Sequence, residues 1–317
     1  MTAPPPPANR DHGGGVDAAA AQYGGARAAW IDLSTGINPH PYPVPAVPAE
    51  SWAALPDAAA RDALDRAARR FWQVPPGAAL MAVPGASAAI AHMPDLAPSG
   101  RVCIPGPTYN EHAASFAGAG WQVSDVGGSA SVHVHPNNPD GRLWQAEDMT
   151  GALRIIDESF CDVTPAQTHM PLATRSGTLI LKSFGKFWGL AGLRLGFVIG
   201  DPALVAQVAR MLGPWPVSGP ALYIGAAALQ DQAWAEATRA RLTTDSARLD
   251  GMMQGAGATI IGGTTLFRLY KVDDAASWQN RLARHHIWSR VFPYNPHWLR
   301  LGLPPSDGWK RLEQALA

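Results

Sequence analysis

The fold of this chain is decided by one stretch of sequence, Leu181-Lys182-Ser183-Phe184-Gly185-Lys186-Phe187-Trp188-Gly189-Leu190-Ala191-Gly192-Leu193-Arg194-Leu195-Gly196-Phe197. It places Lys186 on a glycine-rich turn after a predicted strand, with Ser183 before it and Arg194 after it. A lysine that bonds to a carbonyl compound must be partly removed from water, so that its amine can lose a proton. Ser183 and Arg194 can bind one phosphate from this loop, and the forked guanidinium suits that ligand. The stretch predicts a reactive amine beside an anion site; a solvated loop lysine is the ordinary alternative.

The overall composition is that of a globular protein without a net charge. The chain has 317 residues, 47% of them hydrophobic, and its 25 basic and 25 acidic residues balance. A balanced charge provides no field that attracts nucleic acid, so we expect no such partner. No apolar run approaches the roughly 20 residues that cross a bilayer, and residues 1–15 lack a secretory signal. We therefore expect no membrane partner and a cytoplasmic location.

Residues with metal-binding or redox chemistry do not cluster in the sequence. Cys103 and Cys161 fit neither a zinc nor a redox spacing, and we expect them in the core. His133 and His135 alternate on a predicted strand without a carboxylate or thiol at ligand spacing, so we expect no metal site. The sequence also has no P-loop, no G-x-S-x-G elbow and no H-E-x-x-H motif.

Short apolar runs alternate with helical patterns from about residue 80 onward. The predicted strands are Leu80–Val83, Arg101–Ile104, Ser131–His135, Arg154–Ile156, Thr178–Leu181 and Gly196–Ile199. Helical patterns follow Ser87 and Tyr109 and cover Ala58–Trp72 and Pro202–Leu212. This alternation predicts an α/β domain with a mainly parallel sheet flanked by helices.

Breaks in the pattern predict four parts of the chain. Residues 1–11 are expected to form a disordered leader, and residues 12–48 an N-terminal arm in which proline forbids a long helix. Residues 49–220 are expected to form a large domain and residues 221–317 a smaller α+β domain. An alanine-rich helical region from about Ala221 to Met253 opens the latter.

Two polar residues follow predicted strands. Asp157 ends an apolar strand in Ile155-Ile156-Asp157-Glu158-Ser159-Phe160, where a cap or turn residue is the ordinary explanation. A carboxylate there could also keep a pyridine nitrogen protonated. Asn138 lies in Pro136-Asn137-Asn138-Pro139-Asp140-Gly141, a turn by composition, and its amide could bind a ring hydroxyl.

Two further motifs could contact a flat, phosphorylated ligand. Pro84-Gly85-Ala86-Ser87 follows a strand and opens a helix, whose first N–H groups bind phosphate readily. A serine N-cap explains that motif equally well. Tyr109, in Pro107-Thr108-Tyr109, could stack on a ring, although taken alone a core tyrosine is the simpler interpretation.

The order of these motifs resembles the fold-type I pyridoxal-phosphate enzymes, the class I and II aminotransferases. The resemblance extends from residue 12 to about residue 303. It is closer to the branch with the histidinol-phosphate aminotransferases and the threonine-phosphate decarboxylases of cobalamin biosynthesis. Two features favour the decarboxylases. One is His12-Gly13-Gly14 followed by Asp32-Leu33-Ser34-Thr35-Gly36-Ile37-Asn38-Pro39, and the other is Phe160. Aminotransferases usually carry a tyrosine in place of Phe160.

The resemblance implies pyridoxal 5'-phosphate as cofactor, a large domain with a mainly parallel sheet, and a smaller α+β domain. It makes Lys186 and Asp157 catalytic, because Lys186 holds the cofactor and Asp157 pairs with the ring nitrogen. The implied cofactor-binding residues are Gly85, Ala86, Ser87, Tyr109, Asn138, Asp157, Ser183, Lys186 and Arg194. The implied substrate-binding residues are His12, Gly13, Gly36, Asn138, Arg290 and Arg300.

The implied reaction is decarboxylation of L-threonine O-3-phosphate to (R)-1-amino-2-propanol O-2-phosphate by a homodimer. One alternative is an aminotransferase of the histidinol-phosphate type. Another is a non-catalytic partner in a cobalamin assembly complex, although a scaffold has no reason to keep Lys186, Asp157 and Arg194.

The sequence departs from the family pattern at two positions. Leu55 stands where many relatives have a tyrosine that reaches the neighbouring subunit's cofactor phosphate. Gly36 stands where the decarboxylases have an asparagine, so one substrate contact is either absent or supplied by Asn38.

Overall fold

The computed structural model describes residues 11–317 of the chain. The predicted leader, residues 1–11, lies outside the described residues except for Asp11. Within residues 11–317, no helix has the length and apolar character that crossing a membrane requires.

The helices are α1 (Val16–Tyr23), α2 (Ala49–Ala53), α3 (Ala58–Phe71), α4 (Ala86–His92), α5 (Asn110–Gly118), α6 (Pro202–Leu212), α7 (Gly219–Gln230), α8 (Gln232–Gly255), α9 (Ala275–Ala283) and α10 (Trp309–Leu316). The strands are β1 (Ile31–Asp32), β2 (Ala79–Val83), β3 (Arg101–Cys103), β4 (Gln122–Ser124), β5 (Ala130–Val134), β6 (Leu153–Asp157), β7 (Thr178–Ser183), β8 (Gly196–Gly200), β9 (Thr259–Thr264), β10 (Phe267–Lys271), β11 (Ile287–Trp288), β12 (Arg290–Phe292) and β13 (Asn295–Gly302). Short 3₁₀ helices lie at Arg27–Ala29, Met93–Leu96, Ala146–Asp148, Cys161–Val163, Pro165–Gln167, Met170–Thr174 and Ala191–Leu193.

The main sheet of the described residues has seven strands in the order β2-β8-β7-β6-β5-β3-β4. β8 is antiparallel to both of its neighbours, whereas β7, β6, β5, β3 and β4 are parallel along the rest of the sheet. Residues of β5, β6 and β8 are buried throughout, as expected for strands covered on both faces. The prediction of a mainly parallel α/β fold is confirmed, and each predicted strand is present.

The long helical region predicted from Ala221 to Met253 is wrong in one respect, because the structure divides it into α7 and α8. Asp231, between them, has non-helical backbone angles (φ −90°, ψ 74°). Its Oδ1 accepts the N–H of Trp234 at 2.9 Å. A side chain that caps the next helix in this way competes with continuation of the first. Helices α1 and α2 and strand β4 were not predicted.

Two compact units make up the chain. The larger contains Ile37–Arg248 and Gly262–Leu266, and therefore the seven-stranded sheet. The smaller contains the described residues up to Gly36, with Leu249–Ile261 and Phe267–Ala317. The predicted domain boundary at residue 220 stays a prediction. Helix α7 packs on α3, and both helices lie in the larger unit with the sheet.

The two faces of the main sheet differ in chemistry. One face packs on α4, α5 and α6 through an apolar cluster that includes Val132, Ile155 and Leu179. Because side chains alternate along a strand, the residues between these point to the other face. There His133 and Lys182 are each 2% exposed. Buried polar side chains of this kind must find partners in the protein.

Lys182 is part of a buried ionic group. Its Nζ lies 2.7 Å from Glu158 Oε2 and 3.4 Å from Asp162 Oδ1. Burial alone lowers the pKa of Lys182, but the two carboxylates outweigh it and raise that pKa, so the amine stays charged. The indole N–H groups of Trp72 and Trp188 donate to the same Asp162 carboxylate at 2.9 and 3.1 Å. Removing Lys182 would leave two buried carboxylates without their counter-charge, which costs roughly 3–5 kcal/mol.

His133 makes the stability of the fold depend on pH. Burial lowers the pKa of His133 from 6.5 to about 4, so between these values the unfolded chain binds a proton that the folded chain does not. The contribution of neutral His133 to the free energy of unfolding is present above pH 6.5 and is lost as the pH falls toward 4. Between pH 7 and pH 5 we expect a loss of roughly 2 kcal/mol in the free energy of unfolding.

Urea unfolding at pH 7 and pH 5 measures this loss. His133→Asn should reduce the difference between the two pH values, whereas His285→Asn, at an exposed histidine, should leave it unchanged. An equal pH dependence of stability in wild type and His133→Asn would contradict the role of His133.

Candidate active site

An open cavity of about 650 Å³, its mouth included, lies at the carboxyl ends of β6 and β7. Ligands of parallel α/β sheets bind at this edge. The sequence-predicted residues that line it are Ala86, Ser87, Tyr109, Asn138, Asp157, Ser183, Lys186 and Arg194. Residues from six separate segments thus meet at one cavity in the larger unit.

Asp157 ends β6 with its carboxylate buried, at 2% exposure. Its Oδ1 accepts the N–H and the hydroxyl of Ser159 at 3.0 and 2.5 Å. Its Oδ2 lies 2.9 Å from Nε2 of His112. Burial by itself raises the pKa of Asp157, but His112 and the Ser159 hydrogen bonds outweigh it, and the net pKa is lowered. The carboxylate is therefore ionised at neutral pH although it is buried.

His112 is a site residue that sequence reasoning missed. It lies on α5, one helical turn after Tyr109, with its ring fully buried. The available signal was the spacing, because residues three apart share one face of a helix. The two rings are 6.1 Å apart in an edge-to-face arrangement. His112 therefore contacts both Tyr109, the predicted stacking residue, and Asp157, the predicted acid.

The cavity also contains groups suited to an anion. Arg194 lies there with Ser87 and Ser183, and its backbone is left-handed at φ 53°. Gly85 precedes α4 at φ 87°, and a Cβ at this position would overlap the Arg194 guanidinium. The absence of a side chain at Gly85 is what makes room for Arg194 beside the start of α4.

Lys186 faces the same cavity. Its Nζ lies 5.2 Å from the ring centroid of Phe160, which is itself 4% exposed. The cavity thus has an amine beside an aromatic wall, an ionised acid on one side, and an arginine with two hydroxyls on another. This donor set fits pyridoxal phosphate, because a ring nitrogen, an aldehyde and a phosphate each have a chemical counterpart among the side chains.

The predicted substrate arginines belong to the smaller unit. Arg290 on β12 and Arg300 on β13 are direct register partners. Arg300 is 3% exposed and donates through Nη2 to the carbonyl of Ser34. Arg290 Nη2 donates to the carbonyl and the carboxylate of Asp11, both at 2.9 Å. Burial and the charge of Arg290 lower the pKa of Arg300. The two arginines therefore lie on neighbouring strands, and Arg290 is ion-paired with Asp11.

The His12-Gly13-Gly14 motif is fixed to the segment around Ser34. The N–H of Gly14 donates to Ser34 Oγ at 2.6 Å, and the indole N–H of Trp288 donates to the Gly14 carbonyl at 2.9 Å. Gly13 has no room for a Cβ beside the Ser34 backbone. The two signature segments of the sequence are therefore neighbours in the smaller unit.

Gly36 has a left-handed backbone at φ 64°. Asparagine is one of the few other residues that adopt this conformation, which explains how the two residue types can exchange at this position. Asn38, the alternative source of that contact, has partners within the protein. Its amide donates to the Phe187 carbonyl at 2.8 Å and accepts from Arg241 at 2.8 Å.

The predicted substrate residues are divided between the units. Asn138 lines the cavity of the larger unit, whereas His12, Gly13, Gly36, Arg290 and Arg300 belong to the smaller unit. Leu55, where many relatives have a tyrosine, lies in the larger unit with 68% of its surface exposed.

Comparison with known proteins gives matches over most of the chain. Residues 129–316 match the family model described as aminotransferase class I and II. The chain is 43% identical to a threonine-phosphate decarboxylase of Sinorhizobium sp, with 96% of this chain and 97% of that protein covered. It is 37% identical to a threonine-phosphate decarboxylase of Pseudomonas aeruginosa, with the same shares covered.

Among solved structures, the chain is similar to a histidinol-phosphate aminotransferase from Sinorhizobium meliloti in complex with pyridoxal-5'-phosphate. The TM-score is 0.78 at 18% identity, with 95% of this chain and 93% of that chain covered. At this identity the likeness concerns the fold.

The contact between Gly85 and Arg194 gives a testable prediction. Gly85→Ala should displace the Arg194 guanidinium and weaken pyridoxal phosphate binding by the apoprotein about tenfold, the effect of losing one charge-assisted hydrogen bond. A fluorescence titration measures the dissociation constant. Gly213→Ala is the matched control, because Gly213 is also left-handed, at φ 73°, and a Cβ there meets no atom within 4 Å. Equal affinity of the two variants would remove Gly85 and Arg194 from the anion site.

Proposed function

The chain belongs to the family of class I and II aminotransferases, and on that premise we propose that it is a pyridoxal-phosphate-dependent lyase. Its substrate is L-threonine O-3-phosphate and its product is (R)-1-amino-2-propanol O-2-phosphate, in cobalamin biosynthesis. The 43% identity to a threonine-phosphate decarboxylase over nearly the full length of both chains supports this substrate.

One structural observation carries the proposal. A lysine and an ionised, buried carboxylate line the same cavity. A buried acid is normally neutral, and it stays ionised only where hydrogen-bond donors or positive charges stabilise the carboxylate. Asp157 has such partners in His112 and Ser159.

Pyridoxal phosphate, when bound, supplies an electron sink for the pair released as a bond at the amino acid's Cα breaks. Asp157 would hold the proton on the ring nitrogen that makes this sink effective. Lys186 would bind the cofactor covalently and later return a proton to Cα through its amine. Ser87, Ser183 and Arg194 would bind the phosphate, and Tyr109 would stack on the ring.

The substrate has a carboxylate and a phosphate, so it needs at least two cationic contacts. Arg290 and Arg300 are our candidates, since they are adjacent in register and one of them is buried. Decarboxylation requires the carboxylate to lie out of the plane of the conjugated ring, whereas transamination requires the Cα–H bond there. Arg290 and Arg300 would select decarboxylation by holding the carboxylate, rather than the Cα–H bond, out of the plane of the ring.

A pair of incubations tests the function. With O-phospho-L-threonine the protein should release CO₂ and form the amino-alcohol phosphate. With histidinol phosphate and 2-oxoglutarate it should form no glutamate. Glutamate without CO₂ would identify an aminotransferase instead. A protein that neither turns over a substrate nor shows cofactor absorbance lost on borohydride treatment would be a non-catalytic partner.

Two variants separate the roles in that assay. Lys186→Ala should abolish turnover and borohydride trapping, whereas Lys271→Ala, at an exposed lysine, should change neither. Arg300→Ala should raise KM roughly 10- to 100-fold, because it removes a charged hydrogen-bond donor. Retained trapping in the first variant or an unchanged KM in the second would refute the corresponding role.

We propose further that the chain works as a cytoplasmic homodimer. Large apolar side chains lie exposed on and beside α2 and on α7, which pack together: Trp52 at 70%, Leu55 at 68% and Tyr223 at 40%. Exposed apolar patches of this kind mark protein interfaces. Sedimentation velocity should show a dimer that Trp52→Glu weakens and that Val126→Glu, at a 74% exposed valine outside α2 and α7, does not. A monomeric wild type would contradict the proposal.

A further inference from the structure

The loop that carries Lys186 is held by residues 38–42, here called the strap. The strap donates hydrogen bonds to three successive carbonyls of the loop. The N–H of Asn38 donates to the Lys186 carbonyl at 3.1 Å, and the N–H of Tyr42 donates to the Trp188 carbonyl at 2.9 Å. The side-chain amide of Asn38 donates to the Phe187 carbonyl between them at 2.8 Å. The backbone of the reactive lysine is therefore positioned by a segment remote in sequence.

Asn38 is itself oriented by Arg241 on α8. Arg241 Nη2 donates to Asn38 Oδ1 at 2.8 Å, and its Nη1 lies 3.2 Å from Asp245 Oδ2. The same Oδ1 accepts the N–H of His40 at 3.0 Å. Because two donors point at Oδ1, the amide can present only its NH₂ group to the loop. Asn38 is 2% exposed, so a flipped amide would leave these polar groups without water as a substitute.

We propose that Arg241 and Asn38 are positioning residues for the Lys186 amine. They act through the loop backbone, and neither lines the cavity in the described part of the chain. The inference rests on the proposed role of Lys186. Proton transfer to Cα depends steeply on where the amine lies, and a displacement of about 1 Å from remote substitutions can cost about 100-fold in rate.

A purely structural role for the strap is the competing interpretation. Trp188 is fully buried and stacks on Trp234 with ring centroids 5.3 Å apart, so the loop has packing support of its own. Arg241 has 30% of its side chain exposed, and its loss opens no core cavity. A structural role would therefore change stability, whereas a positioning role would change the rate of the chemical step.

The first experiment compares Arg241→Met with Arg241→Lys. We expect Arg241→Met to lower kcat for decarboxylation roughly 10- to 100-fold, with KM changed by less than about threefold. Arg241→Lys should recover part of the loss, because an ammonium group can still donate to Asn38 Oδ1. Arg66→Met, the same change at an exposed arginine of α3, is the matched control. A kcat equal to wild type in Arg241→Met would overturn the proposal.

The second experiment does not depend on activity. Amide hydrogen exchange of the cofactor-free protein should be about tenfold faster at the strap in Arg241→Met than in wild type, because the bonds it donates to the loop open more often. Exchange unchanged at residues 38–42 would also overturn the proposal. Hydrogen exchange can be measured even if the wild type has no lyase activity. Failure of the proposal about the strap is therefore distinguishable from failure of the proposed function.

Discussion

The site depends on a carboxylate that remains ionised while it is removed from water. Asp157 is 2% exposed, and an isolated acid in such a place would take up a proton. Three hydrogen bonds from Ser159 and His112 prevent this. His112 can provide one of them because α5 begins immediately after Tyr109 and returns its first turn toward the end of β6. The chemistry of the site therefore rests on the packing of one helix against one strand end.

Two successive acids at the end of β6, Asp157 and Glu158, point to opposite faces of the sheet, because side chains alternate along a strand. Asp157 faces the cavity, whereas Glu158 turns to the other face of the sheet and pairs with Lys182 on β7. That ionic group joins the end of β6 to the strand that leads into the Lys186 loop. A buried ionic group contributes little net stability compared with an apolar equivalent. Its effect here is to fix the relative register of two strand ends that both provide site residues.

The smaller unit has its own constraint, the adjacent arginines of β12 and β13. Arg300 is held by the carbonyl of Ser34, in one signature segment, and Arg290 by Asp11, the residue that precedes the other. Glycines at positions 13 and 14 allow this approach, because the Ser34 backbone leaves no space for a side chain at Gly13. The predicted arm thus holds Arg300 in place through Ser34.

From the sequence alone, the class of fold, six of the seven strands of the main sheet and eight residues around the cavity could be predicted. These follow from local rules, since apolar runs define buried strands and strand-end motifs fall at one edge of a parallel sheet. It did not reveal His112, the break at Asp231, or the partners of Asn38 and Lys182. Apart from the break at Asp231, which a local cap accompanies, each of these depends on a contact between residues far apart in the chain, as with Asn38 and Arg241. A spacing rule cannot encode such a contact, because the chain path that brings two residues together is fixed only when the whole core packs.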